Sequence, residues 1–193
     1  MIKELKKLLG IGKYSLTENV EIVLRSANGS IKKVFQPYRW ASFLIKHFSI
    51  QLPKNLLFGY QSASLKFANL VTNVGFAGAA SRINGADAEA AFTYLAVGIG
   101  TTGAAVGDTT LESEIVDSGL ERAAGSASRV TTTETDDTAQ LVKTWTVSGT
   151  KAVTEAGVLN AASVGVLLAR QVFSAINVVS GDSLQLTYKI KAA

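Results

Sequence analysis

The stretch Thr154–Ala193, TEAGVLNAASVGVLLARQVFSAINVVSGDSLQLTYKIKAA, decides the fold class. Two apolar segments rich in β-forming residues meet in it at Ser180-Gly181-Asp182, a tripeptide of turn formers. The second segment, Leu184-Gln-Leu-Thr-Tyr-Lys-Ile190, alternates apolar and polar side chains, the period of a strand with one buried face. Strand, tight turn and strand with no catalytic side chain nearby describe a building block.

Upstream of it, strands are predicted over Phe92–Val97, Ala127–Thr133, Leu141–Val147, Ala152–Leu159 and Val164–Phe173. Short strands at this spacing predict a mainly β fold, a jelly-roll-like or Greek-key sandwich or barrel. Val74–Ile83 reads as a helix of small residues, with Asn73 as its N-cap and Asn84-Gly85 as its stop. Close packing against a sheet would account for its small side chains. Val20–Leu24 and Ile31–Phe35 flank Arg25–Ser30, where Asn28-Gly29 supplies the positive φ angles of a hairpin turn. At the N-terminus, Ile2, Leu5, Leu8 and Leu9 fall near one face of a two-turn amphipathic helix, with Lys3, Lys6 and Lys7 elsewhere. So short a helix needs a surface to lie on. Aromatic residues crowd the region from Phe35 to Phe67, among them Tyr38, Trp40, Phe43, Phe48, Phe58 and Tyr60. That region reads as a peripheral insertion with its own small core, or as a surface for a partner. The chain therefore divides into residues 1–68, a basic N-terminal arm with hairpin and aromatic insertion, and residues 69–193, a β-rich core domain.

Composition narrows the chemistry. There is no cysteine, which excludes a disulfide framework and a thiolate metal site. His47 is the only histidine, so a Ser-His-Asp or Cys-His machine could be built only around it, and a His-rich metal site not at all. No segment is long and apolar enough to span a membrane, so no membrane partner is expected. Lys6, Lys7 and Lys13 break the short apolar run at the N-terminus, which is therefore not read as a secretory signal. Synthesis and folding in a cytoplasm are expected. Charge is uneven: residues 1–70 carry eleven Lys/Arg against three Asp/Glu, and residues 71–193 eight against twelve. A basic head on an acidic body suits either nucleic acid or head-to-body contact between subunits. The lysines are scattered rather than clustered and no nucleic-acid motif accompanies them, so protein is the expected partner.

Three signals could carry chemistry. Gly98-Ile-Gly-Thr-Thr-Gly103 follows a strand and matches the dinucleotide fingerprint G-x-G-x-x-G. The helix that should carry the pyrophosphate is missing after it, since Gly107 and Thr-rich sequence follow, so no cofactor is expected. Asp136-Asp137, with Glu134 and Thr135, forms an acidic tip that reads as a solvated hairpin loop rather than a cation site. Glu112, Glu114 and Asp117 fall in a short predicted helix that Asp108 or Thr109 could cap. A paired-carboxylate hydrolase would need two of them opposed across a cleft, and nothing in the sequence indicates one. No enzymatic activity is expected.

The succession Leu70-Val-Thr-Asn-Val-Gly-Phe76, Tyr94-Leu-Ala-Val-Gly98, Ala105-Val-Gly-Asp-Thr-Thr-Leu111, Thr154-Glu-Ala-Gly-Val158, Leu167-Leu-Ala-Arg170 and Val179–Tyr188 resembles small structural proteins of tailed bacteriophages. It is similar to capsid decoration (cement) proteins, and more distantly to the N-terminal attachment domain of tail-collar fibres. The resemblance covers roughly residues 69–190. It implies a non-enzymatic virion component on the capsid exterior that bridges capsid subunits. The major capsid protein or other virion proteins would be its partners, and such proteins are often trimers. A tail-collar, neck or baseplate adaptor, or a host-surface glycan-binding module using Trp40 or Trp145, are the alternatives. Candidate interface residues are Phe35, Tyr38, Trp40 and Phe43, because aromatic side chains are enriched at binding hot spots. Lys3, Leu5, Lys6 and Lys7 are added as an arm reaching an acidic neighbour.

Overall fold

A computed structural model of the protein describes residues 16–32, 34–37, 59–62, 65–68 and 70–192. The molecule is mainly β, with two antiparallel five-stranded sheets and, among the described residues, one α-helix. The first sheet has β12 (Ser183–Ala192) at its centre. β1 (Leu16–Arg25) pairs along the whole of one side, from Leu16 opposite Ala192 to Arg25 opposite Ser183. β9 (Thr138–Thr146) pairs along the other side. β4 (Leu65–Ala68) and β8 (Ser126–Val130) form the edges. The period-two pattern of β12 is realised: Leu184, Leu186 and Tyr188 have no exposed surface, and the polar residues between them lie on the opposite face. Val20, Ile22 and Leu24 of β1 stand on the same inner face, opposite Tyr188, Leu186 and Leu184.

The second sheet runs β5 (Leu70–Val71), β11 (Leu167–Val178), β10 (Lys151–Leu159), β6 (Tyr94–Gly98) and β7 (Ala123–Ala124). Its inner face contributes Leu95, Val97, Val153, Val158, Leu168 and Ile176 to a hydrophobic core shared with the first sheet. Ser180-Gly181-Asp182 is therefore an arch and not a hairpin: β11 belongs to one sheet and β12 to the other. Gly181 takes φ 88° there, a left-handed angle that suits glycine.

Asp182 ties this arch down. Although only 1% exposed, its side chain accepts from the Val179 N–H at 3.0 Å and from Lys32 Nζ at 2.7 Å. Burial pushes its carboxyl up, but the Lys32 ammonium and the Val179 amide outweigh burial and hold it below the usual aspartate range.

Lys32 follows the turn at Asn28-Gly29, where Gly29 has φ 82° and the Lys32 N–H returns to the Leu24 carbonyl. The expected hairpin goes no further among the described residues. Past the bridge between Arg25 and Ile31, β2 (Val34–Pro37) pairs with β3 (Gly59–Ser62) in a separate ribbon. The long sides of β1 are already taken, by β12 and by β4.

The helix α1 (Asn73–Asn84) lies against β11 through small residues. A side chain at Gly75 would collide with the Leu168 backbone, and one at Gly78 with the Phe92 ring. Its N-cap is Thr72 rather than Asn73: Thr72 Oγ1 accepts from the Gly75 N–H at 3.0 Å and donates to the Leu167 carbonyl at 2.6 Å. The stop at Gly85 is as expected, in the left-handed conformation with its N–H on the Ser81 carbonyl.

Candidate functional site

β10 breaks the alternation expected of a half-exposed strand, because Val153 to Leu159 are all buried. The cause is the irregular segment 99–122, which covers the outer face of the second sheet. Leu111 sits on that face in a small apolar cluster with Ala96, Leu159 and Leu167. A side chain at Gly157 would meet Leu111 and Leu167.

The segment is held by a buried charge. Glu155 of β10 has no exposed surface, and each of its carboxylate oxygens receives two donors. Oε1 accepts from the Ser113 N–H at 2.7 Å and the Gly100 N–H at 3.1 Å. Oε2 accepts from Arg170 Nε at 2.7 Å and the Glu112 N–H at 3.1 Å. Arg170 of β11, 2% exposed, reaches on to Asp108 at 2.8 Å, to the Thr102 carbonyl at 3.1 Å and to Glu112 at 3.3 Å. Next to Glu155, Thr154 Oγ1 donates to the Gly100 carbonyl at 2.7 Å. A charge is tolerated without solvent only when it is paired and fully hydrogen-bonded, as both are here.

Electrostatics follow from that geometry. Burial would push the Arg170 guanidinium down, yet its bonds to Asp108 and Glu155 prevail and raise it. For Asp108, burial pushes up, and the Ala105 N–H and Arg170 together bring the carboxyl below its ordinary value. Bonds from the Thr102 hydroxyl and N–H lower Glu112. An open cleft of about 340 Å³ lies over the cluster, lined by Thr102, Asp108, Thr109, Glu112 and Arg170. A general acid needs a carboxyl that holds its proton near neutral pH. Asp108 and Glu112 are shifted the opposite way, and their oxygens are occupied in fixing the segment.

This arrangement explains the glycine motif. Gly98 and Gly100 do border an anion, but the anion is the carboxylate of Glu155, and a side chain at either position would collide with it. The loop amides thus serve an internal charge where a dinucleotide fold would present them to pyrophosphate. Glu112, Glu114 and Asp117 do not form a helix: the chain there is irregular, bridged between Gly98 and Glu114. Asp108 caps no helix, bonding instead to the Ala105 N–H and Arg170. Glu114 pairs with Arg122, whose guanidinium also reaches the Ala161 and Val164 carbonyls.

The acidic tip is a loop that closes on itself. Asp137 accepts from the N–H groups of Thr132, Thr133 and Glu134 at 2.9–3.1 Å, which hold its carboxyl far below the usual range against the effect of burial. Trp145 is 4% exposed and donates from Nε1 to the Glu121 carbonyl at 2.8 Å, so it belongs to the core and offers no sugar platform. Lys3, Leu5, Lys6, Lys7, Tyr38, Trp40, Phe43 and His47 lie outside the described residues, and of Phe35 only the backbone in β2 is described.

Sequence reasoning missed Glu155 and Arg170 as a pair. Their signal was present, since two charged residues interrupt the apolar runs of adjacent strands. Among the described residues, no group of His, Asp and Glu side chains is arranged to hold a metal ion, and no helix is long and apolar enough to cross a membrane. Compared with known protein families, curated proteins and solved structures, the chain matches none.

Proposed function

We propose that this protein is a non-enzymatic structural component of a tailed-bacteriophage virion, a capsid decoration protein that stabilises the head by bridging capsid subunits. The observation that carries the reading is where the phage-like motifs fall. Thr72 and Gly75 seat the helix on β11, Asp108, Glu155 and Arg170 lock segment 99–122 to the second sheet, and Asp182 ties the arch between the sheets. The motifs thus mark the joints of a rigid block, and buried charge is used for shape. A jelly-roll-like or Greek-key winding is the finer architecture that belongs to this reading.

The mechanism is mass action. A protein that binds only the assembled shell stabilises it, and interfaces repeated over a lattice multiply modest contacts. Phe35, Tyr38, Trp40 and Phe43 are the proposed anchors, and the segment bearing Lys3, Leu5, Lys6 and Lys7 is the proposed arm, with a homo-oligomer, such as a trimer, as the bound form. Cryo-electron microscopy of purified particles carrying the protein tests this. Density across the icosahedral faces, bridging capsid subunits, is expected. Density confined to the unique vertex or the tail would refute it in favour of an adaptor.

A further inference from the structure

Asn28-Gly29 and Asn84-Gly85 serve the fold as turns, and both are exposed to water. Each glycine is left-handed, at φ 82° and 74°. A side chain at either would meet nothing within 4 Å, so the glycine nitrogen can approach the asparagine Cγ unhindered. Each glycine N–H bonds back to a carbonyl, Gly29 to Ser26 at 2.8 Å and Gly85 to Ser81 at 2.7 Å. Each asparagine Oδ1 accepts from the N–H two residues on, Ser30 at 3.0 Å and Ala86 at 2.9 Å. That bond folds the side-chain carbonyl back over the Asn-Gly peptide.

The two sites differ at that oxygen. Asn84 Oδ1 has no donor besides the Ala86 N–H among the described residues. Asn28 Oδ1 also lies 2.5 Å from Ser26 Oγ and 2.7 Å from Ser30 Oγ. The Ser30 N–H can only donate, which assigns the amide oxygen to this side. The two hydroxyls are 2.6 Å apart, and Ser26 Oγ is 3.1 Å from the Ser30 carbonyl. Their protons can rotate toward whichever oxygen carries the most charge.

We infer that Asn28 is a site of spontaneous self-modification, losing its side-chain amide to attack by the Gly29 nitrogen, with the Ser26 and Ser30 hydroxyls accelerating the loss. Hydroxide takes the Gly29 N–H proton, and the nitrogen bonds to Asn28 Cγ. The carbonyl electron pair moves onto Oδ1, where three donors already converge on the developing oxyanion. As the carbonyl re-forms, the Cγ–Nδ2 bond breaks, and Nδ2 takes a proton from water and leaves as ammonia. Water then opens the cyclic imide at either carbonyl, giving aspartate or isoaspartate. Aspartate keeps the turn, because its carboxylate accepts from the same three donors. Isoaspartate adds a main-chain carbon inside the loop closed by the Ser26 N–H on the Ser30 carbonyl, just before Lys32, the partner of Asp182. The inference does not depend on the virion reading.

The test uses the isolated full chain, held folded in warm, mildly alkaline buffer and digested with trypsin at intervals. Cleavage after Arg25 and Lys32 isolates one site, and cleavage after Arg82 and Arg122 the other. Mass spectrometry reads the exchange of NH2 for OH in each peptide. Two exposed hydrogen bonds, each worth about two- to tenfold in rate, should make Asn28 react about tenfold faster than Asn84. Ser26→Ala with Ser30→Ala should bring Asn28 down to the Asn84 rate. In concentrated urea the preference of the parent chain should vanish. Equal rates in the folded parent, or a faster Asn84, would overturn the inference. So would an Asn28 rate unchanged in the double variant. A preference of the same size in urea would also overturn it, since local sequence and not the folded turn would then set the rate. The first and last comparisons use the unaltered chain, so they hold even where the double variant does not fold.

Discussion

Replacing Glu155 with glutamine changes one atom of the buried cluster and almost no volume. The carboxylate offers two acceptor oxygens, each taking two donors, and glutamine keeps only one. Whichever way the new amide turns, its NH2 faces two N–H donors: Gly100 and Ser113, or Glu112 and Arg170. Two bonds to a charged group are lost, each worth about 1.5–3 kcal/mol. Removing one member of a buried ion pair costs about 3–5 kcal/mol by itself. The two routes agree on about 3–5 kcal/mol for Glu155→Gln, a fall in Tm of roughly 6–20 °C for a domain of this size. Urea titration followed by circular dichroism, with a thermal scan, measures both. A double-mutant cycle with Arg170→Met should give a coupling of about 2 kcal/mol, because Arg170 without Glu155 keeps its charge but loses its most buried partner. A Glu155→Gln variant within about 1 kcal/mol of the parent would refute the claim that this carboxylate fixes segment 99–122.

Three further outcomes are expected. Gly75→Ala should destabilise by about 3 kcal/mol or more in denaturant titration, because the added methyl meets the Leu168 backbone, which cannot yield as a side chain can. Asp182→Asn should cost about 1–2 kcal/mol at neutral pH, discounted because Lys32 is 36% exposed. Since the folded Asp182 pKa is lowered, its contribution is complete above the unfolded value near 4 and is lost as pH falls through the folded value. The stability gap between parent and variant should therefore be flat from pH 7 to about 5 and close below about 4. Val164→Asn should stabilise by about 1 kcal/mol in the same titration, because Val164 holds φ 54°, a left-handed angle that β-branched residues resist, while 87% exposed.

The strands were legible where one face alone is buried. Leu184–Ile190 and Leu141–Val147 alternate in sequence because water lies on one side of them; the first falls within β12, and β9 takes in the second up to Thr146. The pairing of those strands was not legible. Nothing local in Val20–Phe35 says that β1 will be flanked by β12 and β4 and leave β2 to seek β3, since long-range partners decide that. Segment 99–122 was misread for a related reason. Glu112, Glu114 and Asp117 read as part of a short helix, but the Glu112 and Ser113 amides are claimed by a carboxylate more than forty residues away. The glycine motif lies against Glu155, a neighbour more than fifty residues away that the local sequence does not announce. Thr72 displaced Asn73 as the cap because its hydroxyl can serve the helix and β11 together.

The riveting of segment 99–122 separates its tip from its anchors. Thr102, Glu112 and Ser113 are bound to the cluster beneath, and the Val106 carbonyl accepts from the Asn73 N–H at the start of α1. Gly103 between them faces open space. A foreign peptide spliced in after Gly103 would leave every rivet in place and be held out from the surface on two short stalks.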